Sequence, residues 1–356
     1  MKHCKVWSIS LLIVTSVLLI LLGGMTAAID PFFHYHAPLD GLTYPISKQR
    51  YQNYGILEHF SYDAIITGSS MTENFRASEC DALFGTNSAK VCLGGGTLRE
   101  FDQQLRHAIA ENPDIRLIIF GLDSWLLLED KDSMRPNETF PTYLYDDRLS
   151  NDVQYVLNKH VLLDSTLDVL AHTRKGLPTT SFDEYSFWAN HATFSREAAL
   201  SSYTRPAITE CSPQQAGFLL ENTRNTLEQN LLPLVEENPQ IRFCFFFTPS
   251  SILNLDSLNR RGHIPLQFDA CALACEQLLP YGNVQIFSFF NDYETITNLD
   301  NYFDTIHYSD EINSLILQRI ARGEYALTPE NSAAHWQEVS HYYTSYDYDI
   351  LFAQKE

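Results

Sequence analysis

Positive charge is scarce in this 356-residue chain: 24 lysines and arginines stand against 44 aspartates and glutamates, a formal net charge of -20 at pH 7. Such an excess repels the phosphates of nucleic acids and anionic lipids at long range, and it argues against a protein that tracks a nucleic-acid backbone. Metal-type cysteine pairs are also missing. There is no CxxC, and Cys271 and Cys275 stand four apart with no histidine or further cysteine beside them, which leaves no metal site to assign. The six cysteines beyond the N-terminal segment (Cys80, Cys92, Cys211, Cys244, Cys271 and Cys275) are even in number, as disulfides require, yet their spacing matches no disulfide framework. No internal repeat is present. The 45% apolar and 19% charged composition is that of a folded chain with a sizeable core.

Long apolar runs are absent beyond residue 30, which excludes a multi-pass protein; one such run precedes it. Residues 6–29, VWSISLLIVTSVLLILLGGMTAAI, carry no charge and exceed the roughly 20 residues that span a hydrocarbon core as a helix. Lys2 and Lys5 precede the run and Asp30 follows it, so the lysines stay on the cytoplasmic side and the body of the chain lies outside the cytoplasm. The length favours an uncleaved anchor over a cleaved signal peptide, whose apolar core is shorter. The expected organisation is a cytoplasmic stub and transmembrane anchor over 1–30, one domain over 31–325, and a C-terminal tail over 326–356.

Apolar runs ending in turns alternate with helical stripes. Strands are expected at 62–68, 88–96, 114–123, 241–251 and 283–290, the runs being short, rich in β-branched or aromatic residues and buried on both faces. Helices are expected at 99–112, 212–238, 266–280 and 309–323; the last has Ser309 or Asp310 at its start and Ile312, Leu315, Ile316 and Ile320 on one stripe. Helices between strands imply crossovers and a mainly parallel sheet, hence an α/β fold with a five-stranded sheet in a three-layer α/β/α sandwich. Residues 124–212 break the alternation, with one helix around 152–173. So long an excursion reads as an insertion or cap over the ligand-bearing edge of the sheet.

In open parallel sheets ligands bind beyond the C-terminal strand ends, so the strand exits carry the information. At the first, ITGSSMTENF, Gly68 permits a tight turn and Ser69 or Ser70 stands near a helix start; alone, this is also how a serine N-cap reads. No lysine follows, which excludes a P-loop. At the second, Gly94, Gly95 and Gly96 offer backbone N–H groups to a developing oxyanion. At the third, Asp123 stands in GLDS. Before the last helix, NYFDTIHYSD places Asp304 three residues ahead of His307, so the carboxylate can accept from Nδ1–H and leave Nε2 free as a base.

Together these blocks resemble the SGNH (GDSL-like) hydrolase superfamily over roughly residues 60–125 and 240–320. Gly68, Ser69 and Ser70 match its first block, which makes Ser70 the implied nucleophile. The LGGGT turn matches its glycine block, with Gly95 the preferred oxyanion donor, Gly96 its rival, and the Ser70 N–H completing the hole. Gly121, Leu122, Asp123 and Ser124 match its third block, and Asp304 and His307 its last. GSS in place of GDS, the anchor and NYFDTIHYS resemble the surface-polymer branch, which holds DltD of lipoteichoic acid D-alanylation and the O-acetyltransferases of alginate.

The resemblance implies a cofactor-independent serine esterase or O-acyltransferase at the cell membrane. Its acceptor would be a surface glycan or teichoic-type polymer, and a membrane-bound partner would donate the acyl group. Gly68, Ser69 and Asp123 would support the site. One position departs from the family: Asp123 stands where an asparagine donates to the oxyanion, and an ionised carboxylate cannot donate. The alternative is a catalytically inactive surface protein that binds polymer or scaffolds a polymer-modifying complex. Trp125, Tyr143, Tyr145 and Trp188 are candidates to stack on sugar rings or to fill a core.

Overall fold

The computed structural model describes residues 2–135, 141–146 and 148–353. Residue 1 of the expected anchor, residues 136–140 and 147 of the expected insertion, and residues 354–356 of the expected tail lie outside the described residues. The chain forms two compact units: one from residues 1–60 and 136–181, the other from 61–135 and 182–356. The stretch 124–212 is therefore shared between them.

The first unit opens with a helix over Lys2–Ile29, long and apolar enough over Cys4–Ile29 to cross a membrane. Asp30, at φ 49°, ends it. The Asp30 carboxylate accepts the backbone N–H groups of His34, Tyr35 and His36 at 2.9, 2.7 and 3.1 Å and the Tyr155 hydroxyl at 2.6 Å. Phe32, Leu144, Tyr155 and Val161 form the small core beside this turn, with Tyr143 and Tyr145 packed against it. The single helix expected around 152–173 is three pieces: Val153–Val156, a π-helical turn at Val161–Thr166, and Leu167–Arg174. The Thr166 hydroxyl donates to Val161 O at 2.9 Å, five residues back, which suits the wider turn.

The second unit is built on one sheet of β1 (Ala64–Gly68), β2 (Ser88–Lys90), β3 (Leu117–Leu122), β4 (Arg242–Phe247), β5 (Val284–Ser288) and β6 (Ala326–Leu327), in the order β2-β1-β3-β4-β5-β6. The first five pair in parallel. The sheet has six strands where the sequence led us to expect five, because Ala326 and Leu327 pair antiparallel with Phe287 and Ile286. A two-residue strand leaves no period to read. The residues beyond it form a helix, Ser332–Ser345, whose Trp336 and Tyr343 are buried against Phe268.

Helices Leu98–Glu111, Pro213–Asn230, Ile264–Leu278 and Ser332–Ser345 pack in succession, and Ala77–Phe84 packs separately against Asp310–Arg322. The chain steps one way from β1 to β2 and the other way from β2 onward. Right-handed crossovers then assign the two groups to opposite faces of the sheet. The direction reverses at β1, so a crevice is expected beyond its C-terminal end.

Candidate active site

Gly68 ends β1 at φ 142°, opposite Gly121 in the register with β3. The chain then turns into a short 3₁₀ helix, Ser70–Thr72, with Ser69 as its N-cap. The two serines thus divide the two roles the sequence offers. Ser69 is buried and its hydroxyl accepts from Met71 N–H at 3.3 Å, a capping bond. Ser70 is partly exposed, and its Oγ lies 2.7 Å from His307 Nε2. The turn is pinned by the Thr72 hydroxyl, which donates to Ser69 O at 2.8 Å, and by Asn313 Nδ2 donating to Met71 O at 3.0 Å from helix Asp310–Arg322.

His307 lies in a tight loop closed by a bridge between Tyr302 and Tyr308, and Phe303 N–H donates to His307 O across it. Inside the loop, Asp304 Oδ1 accepts the N–H groups of Ile306 and His307, both at 2.8 Å. Asp304 Oδ2 lies 2.7 Å from His307 Nδ1. Burial by itself raises the Asp304 pKa. The hydrogen bonds from the His307 ring and backbone, the His307 charge and the Ile306 N–H outweigh it and hold the carboxyl below its ordinary value. The loop is clamped to the exit of β4: the Ser251 hydroxyl and N–H both donate to Thr305 O, and the Tyr302 hydroxyl donates to Pro249 O at 2.9 Å.

At the glycine turn, Gly95 adopts φ 59° and is exposed, and its carbonyl accepts from Arg135 Nε. Gly96 is buried, and its N–H is committed to Leu93 O at 2.7 Å. Of these two glycines, Gly96 alone has its N–H bonded within the turn among the described residues. A capping box between Thr97 and Glu100 starts the following helix at once, and Glu100 also accepts Arg135 N–H at 2.8 Å.

Asp123 is fully buried and accepts the Thr248 hydroxyl at 2.6 Å through Oδ1, while its Oδ2 has no hydrogen-bond partner among the described residues. Burial pushes its carboxyl up to about 6, against the lowering pull of the nearby Ser69 and Thr248 hydroxyls and of His307. A buried carboxyl whose folded pKa lies above its unfolded value holds a proton that the unfolded chain has lost. Stability therefore falls as pH rises from about 4 to about 6. Asp123→Asn, which cannot ionise and keeps an acceptor for Thr248, is expected to match the native chain below pH 4 and to exceed it above pH 6. The gain is at most on the order of 3 kcal/mol, read from denaturant midpoints at the two pH values. Equal pH profiles for the two proteins would refute it.

Trp188 belongs to the same unit and comes from far along the chain. Its ring meets that of His307 edge-on at 5.3 Å between centroids, and its Nε1–H donates to Ser70 O at 3.3 Å. Asn74 Oδ1 holds it there by accepting the N–H groups of Trp188 and Ala189 at 3.0 and 3.1 Å. Phe194 and Phe303 lie 6.0 and 6.2 Å from its ring. Sequence reasoning named Trp188 only as one aromatic among several and missed Asn74, Thr248, Ser251 and Arg135. No motif spacing marks them.

Among the described residues no three histidine, cysteine, aspartate or glutamate side chains gather as metal ligands would. All seven cysteines are free. Neither the scan against protein-family models nor the search of curated proteins finds a match to this chain.

Proposed function

We propose that the second unit is a serine-dependent acyl esterase or O-acyltransferase of SGNH type, held at the cell membrane by the Lys2–Ile29 helix with its body outside the cytoplasm. It would act on a surface polysaccharide or teichoic-type polymer. One observation carries the reading: Ser70 Oγ, His307 and Asp304 form an unbroken chain of two 2.7 Å contacts at the strand ends where a parallel sheet binds ligands. The β2-β1-β3-β4-β5 order, with the serine after β1 and the D-x-x-H before a late helix, supports the family resemblance.

In the proposed reaction His307 Nε2 takes the Ser70 proton as Oγ bonds to the acyl carbon of an ester or thioester. The Ser70 and Gly95 N–H groups receive the oxyanion. Collapse breaks the bond to the leaving alcohol or thiol, which takes the proton from His307 and leaves an acyl-serine. A sugar or polyol hydroxyl, or water, then gives its proton to His307 while attacking the same carbon; the bond from that carbon to Oγ breaks and His307 returns the proton to Oγ, which regenerates Ser70. Asp304, kept ionised by its hydrogen bonds, fixes the Nδ1–H tautomer and stabilises the imidazolium. Asp123 contributes no donor while ionised, so backbone N–H groups carry the oxyanion.

A fluorophosphonate probe is expected to label the full-length protein in detergent. Ser69→Ala should keep the label and lose about 1 kcal/mol of stability as its cap goes. A native protein that resists labelling would instead support a catalytically silent, polymer-binding member of the fold.

A further inference from the structure

The helical segment Val153–Arg174 of the first unit has two apolar faces, and its own unit covers only one of them. Tyr155, Val161, Thr166 and Val169 point inward and are 0–2% exposed. On the outside Val153, Leu157, Leu163, Leu167 and Leu170 are 53, 37, 57, 43 and 38% exposed. Leu163, Leu167 and Leu170 recur at i, i+4 and i+7 and form one stripe along the π turn and the helix that follows. A row of leucines facing outward marks a contact surface.

Its position says with what. A Cβ at Gly23 of the Lys2–Ile29 helix would lie 3.2 Å from Leu157 and 3.5 Å from Val156, and the π turn also packs on this helix. Residues 6–29 are uncharged, and a bilayer core takes about 20 of them. Every placement of such a span within that run includes Gly23. Leu157 therefore sits where the helix leaves the hydrocarbon, and the leucine stripe continues from it. Charge permits the approach. The first unit holds eight lysines and arginines against nine acidic residues, so nearly all the negative excess of the chain lies in the other unit. Asp164 and Asp168 flank the stripe about 100° round the helix, and Asp164 is paired with His160 at 2.9 Å.

We infer that Leu157, Leu163, Leu167 and Leu170 form a second bilayer contact, an interfacial helix lying in the outer headgroup region beside the spanning helix. It would hold the first unit against the lipid surface. The inference rests on the proposal that Lys2–Ile29 spans the bilayer and is independent of the chemistry at Ser70.

The test uses the full chain in phosphatidylcholine–phosphatidylglycerol vesicles, in a Cys4→Ser, Cys211→Ser background whose remaining cysteines are buried. A nitrobenzoxadiazole label is placed in turn at Leu163→Cys, Leu167→Cys and Leu170→Cys. Reference labels sit at Leu12→Cys in the spanning helix and at Phe218→Cys, which is exposed on the other unit. The three stripe positions are expected to give blue-shifted emission that headgroup-proximal nitroxide lipids quench and aqueous iodide does not, with the reverse at Phe218. Iodide quenching at the stripe with lipid quenching at Leu12 overturns the inference and leaves the anchor standing. Iodide quenching at Leu12 removes the anchor reading and the inference with it. Protection of the stripe from both quenchers means that a second copy of the chain covers it, which also overturns the inference.

Discussion

Ser70→Ala is expected to abolish fluorophosphonate labelling and to lower acyl turnover by about ten-thousand- to million-fold. His307→Ala should fall equally far, and the double variant no further than either single one, because in the proposed mechanism the two groups act in one proton transfer. The unfolding midpoint should barely move for Ser70→Ala. The Ser70 side chain is partly exposed and its Oγ contacts His307 Nε2, whereas the turn is pinned through Thr72 and the Met71 carbonyl. Asp304→Asn separates orientation from proton transfer. It leaves Ser70 and His307 in place but lets an amide hydrogen face Nδ1, favouring the wrong tautomer at a cost of about ten-thousand-fold. Asp304, held below the ordinary carboxylate range by its hydrogen bonds to the His307 ring and backbone, stays ionised to lower pH than a free carboxyl would. Undiminished turnover in Ser70→Ala would remove the acyl-serine from the mechanism altogether.

Gly68→Ala is expected to cost about 3–5 kcal/mol and to disable the site together with the fold. At φ 142° an L side chain is strained, and a Cβ there would stand 2.8 Å from Gly121 O, a backbone atom that cannot swing away. The opposing Gly121→Ala fails by a different route: its Cβ would meet Thr72 Cγ2 at 2.3 Å. That clash has a specific remedy, since Thr72→Ser deletes the offending methyl and keeps the hydroxyl that donates to Ser69 O. Combining Gly121→Ala with Thr72→Ser should therefore recover much of the lost stability, whereas Thr72→Ser should rescue Gly68→Ala far less. Gly217→Ala is the control. It lies inside the Pro213–Asn230 helix with nothing within 4 Å of a new Cβ, and it should stabilise by about 0.5–1 kcal/mol. Denaturant unfolding followed by far-UV circular dichroism reads all five proteins. Equal costs at positions 68 and 217 would contradict the close approach of the serine turn to β3.

Much of the frame was legible because it rests on local signals. Short apolar runs and helical stripes marked five parallel strands and the helices between them, since burial on both faces leaves continuous apolar sequence. β6 and the buried helix after it gave no such signal. Two residues show no alternation, and the tyrosines of the tail resemble surface aromatics until Trp336 and Tyr343 meet Phe268. At the site, the choice between Ser69 and Ser70 came from the family resemblance and not from the spacing. Their different roles in the structure follow from one turn of 3₁₀ helix, which sends one hydroxyl to a backbone N–H and the other to His307. Gly95 and Gly96, which the sequence leaves as rivals, differ in that the turn itself consumes the Gly96 N–H. Trp188, Asn74 and Thr248 were beyond reach, because each acts through a partner at least 114 residues away.

By itself the amino-acid sequence determined the apolar N-terminal helix, the α/β character of the body, and a D-x-x-H spacing short enough for Asp304 to bond both the backbone and the ring of His307. Only the tertiary structure decided which hydroxyl faces that imidazole, that Asp123 is buried with one oxygen unpartnered among the described residues, and which leucines are left uncovered beside the apolar N-terminal helix. The reason is range. Periodicity and turn chemistry act over a few residues and are written along the chain, whereas a hydroxyl facing an imidazole 237 positions away exists only once the sheet brings its strand ends together.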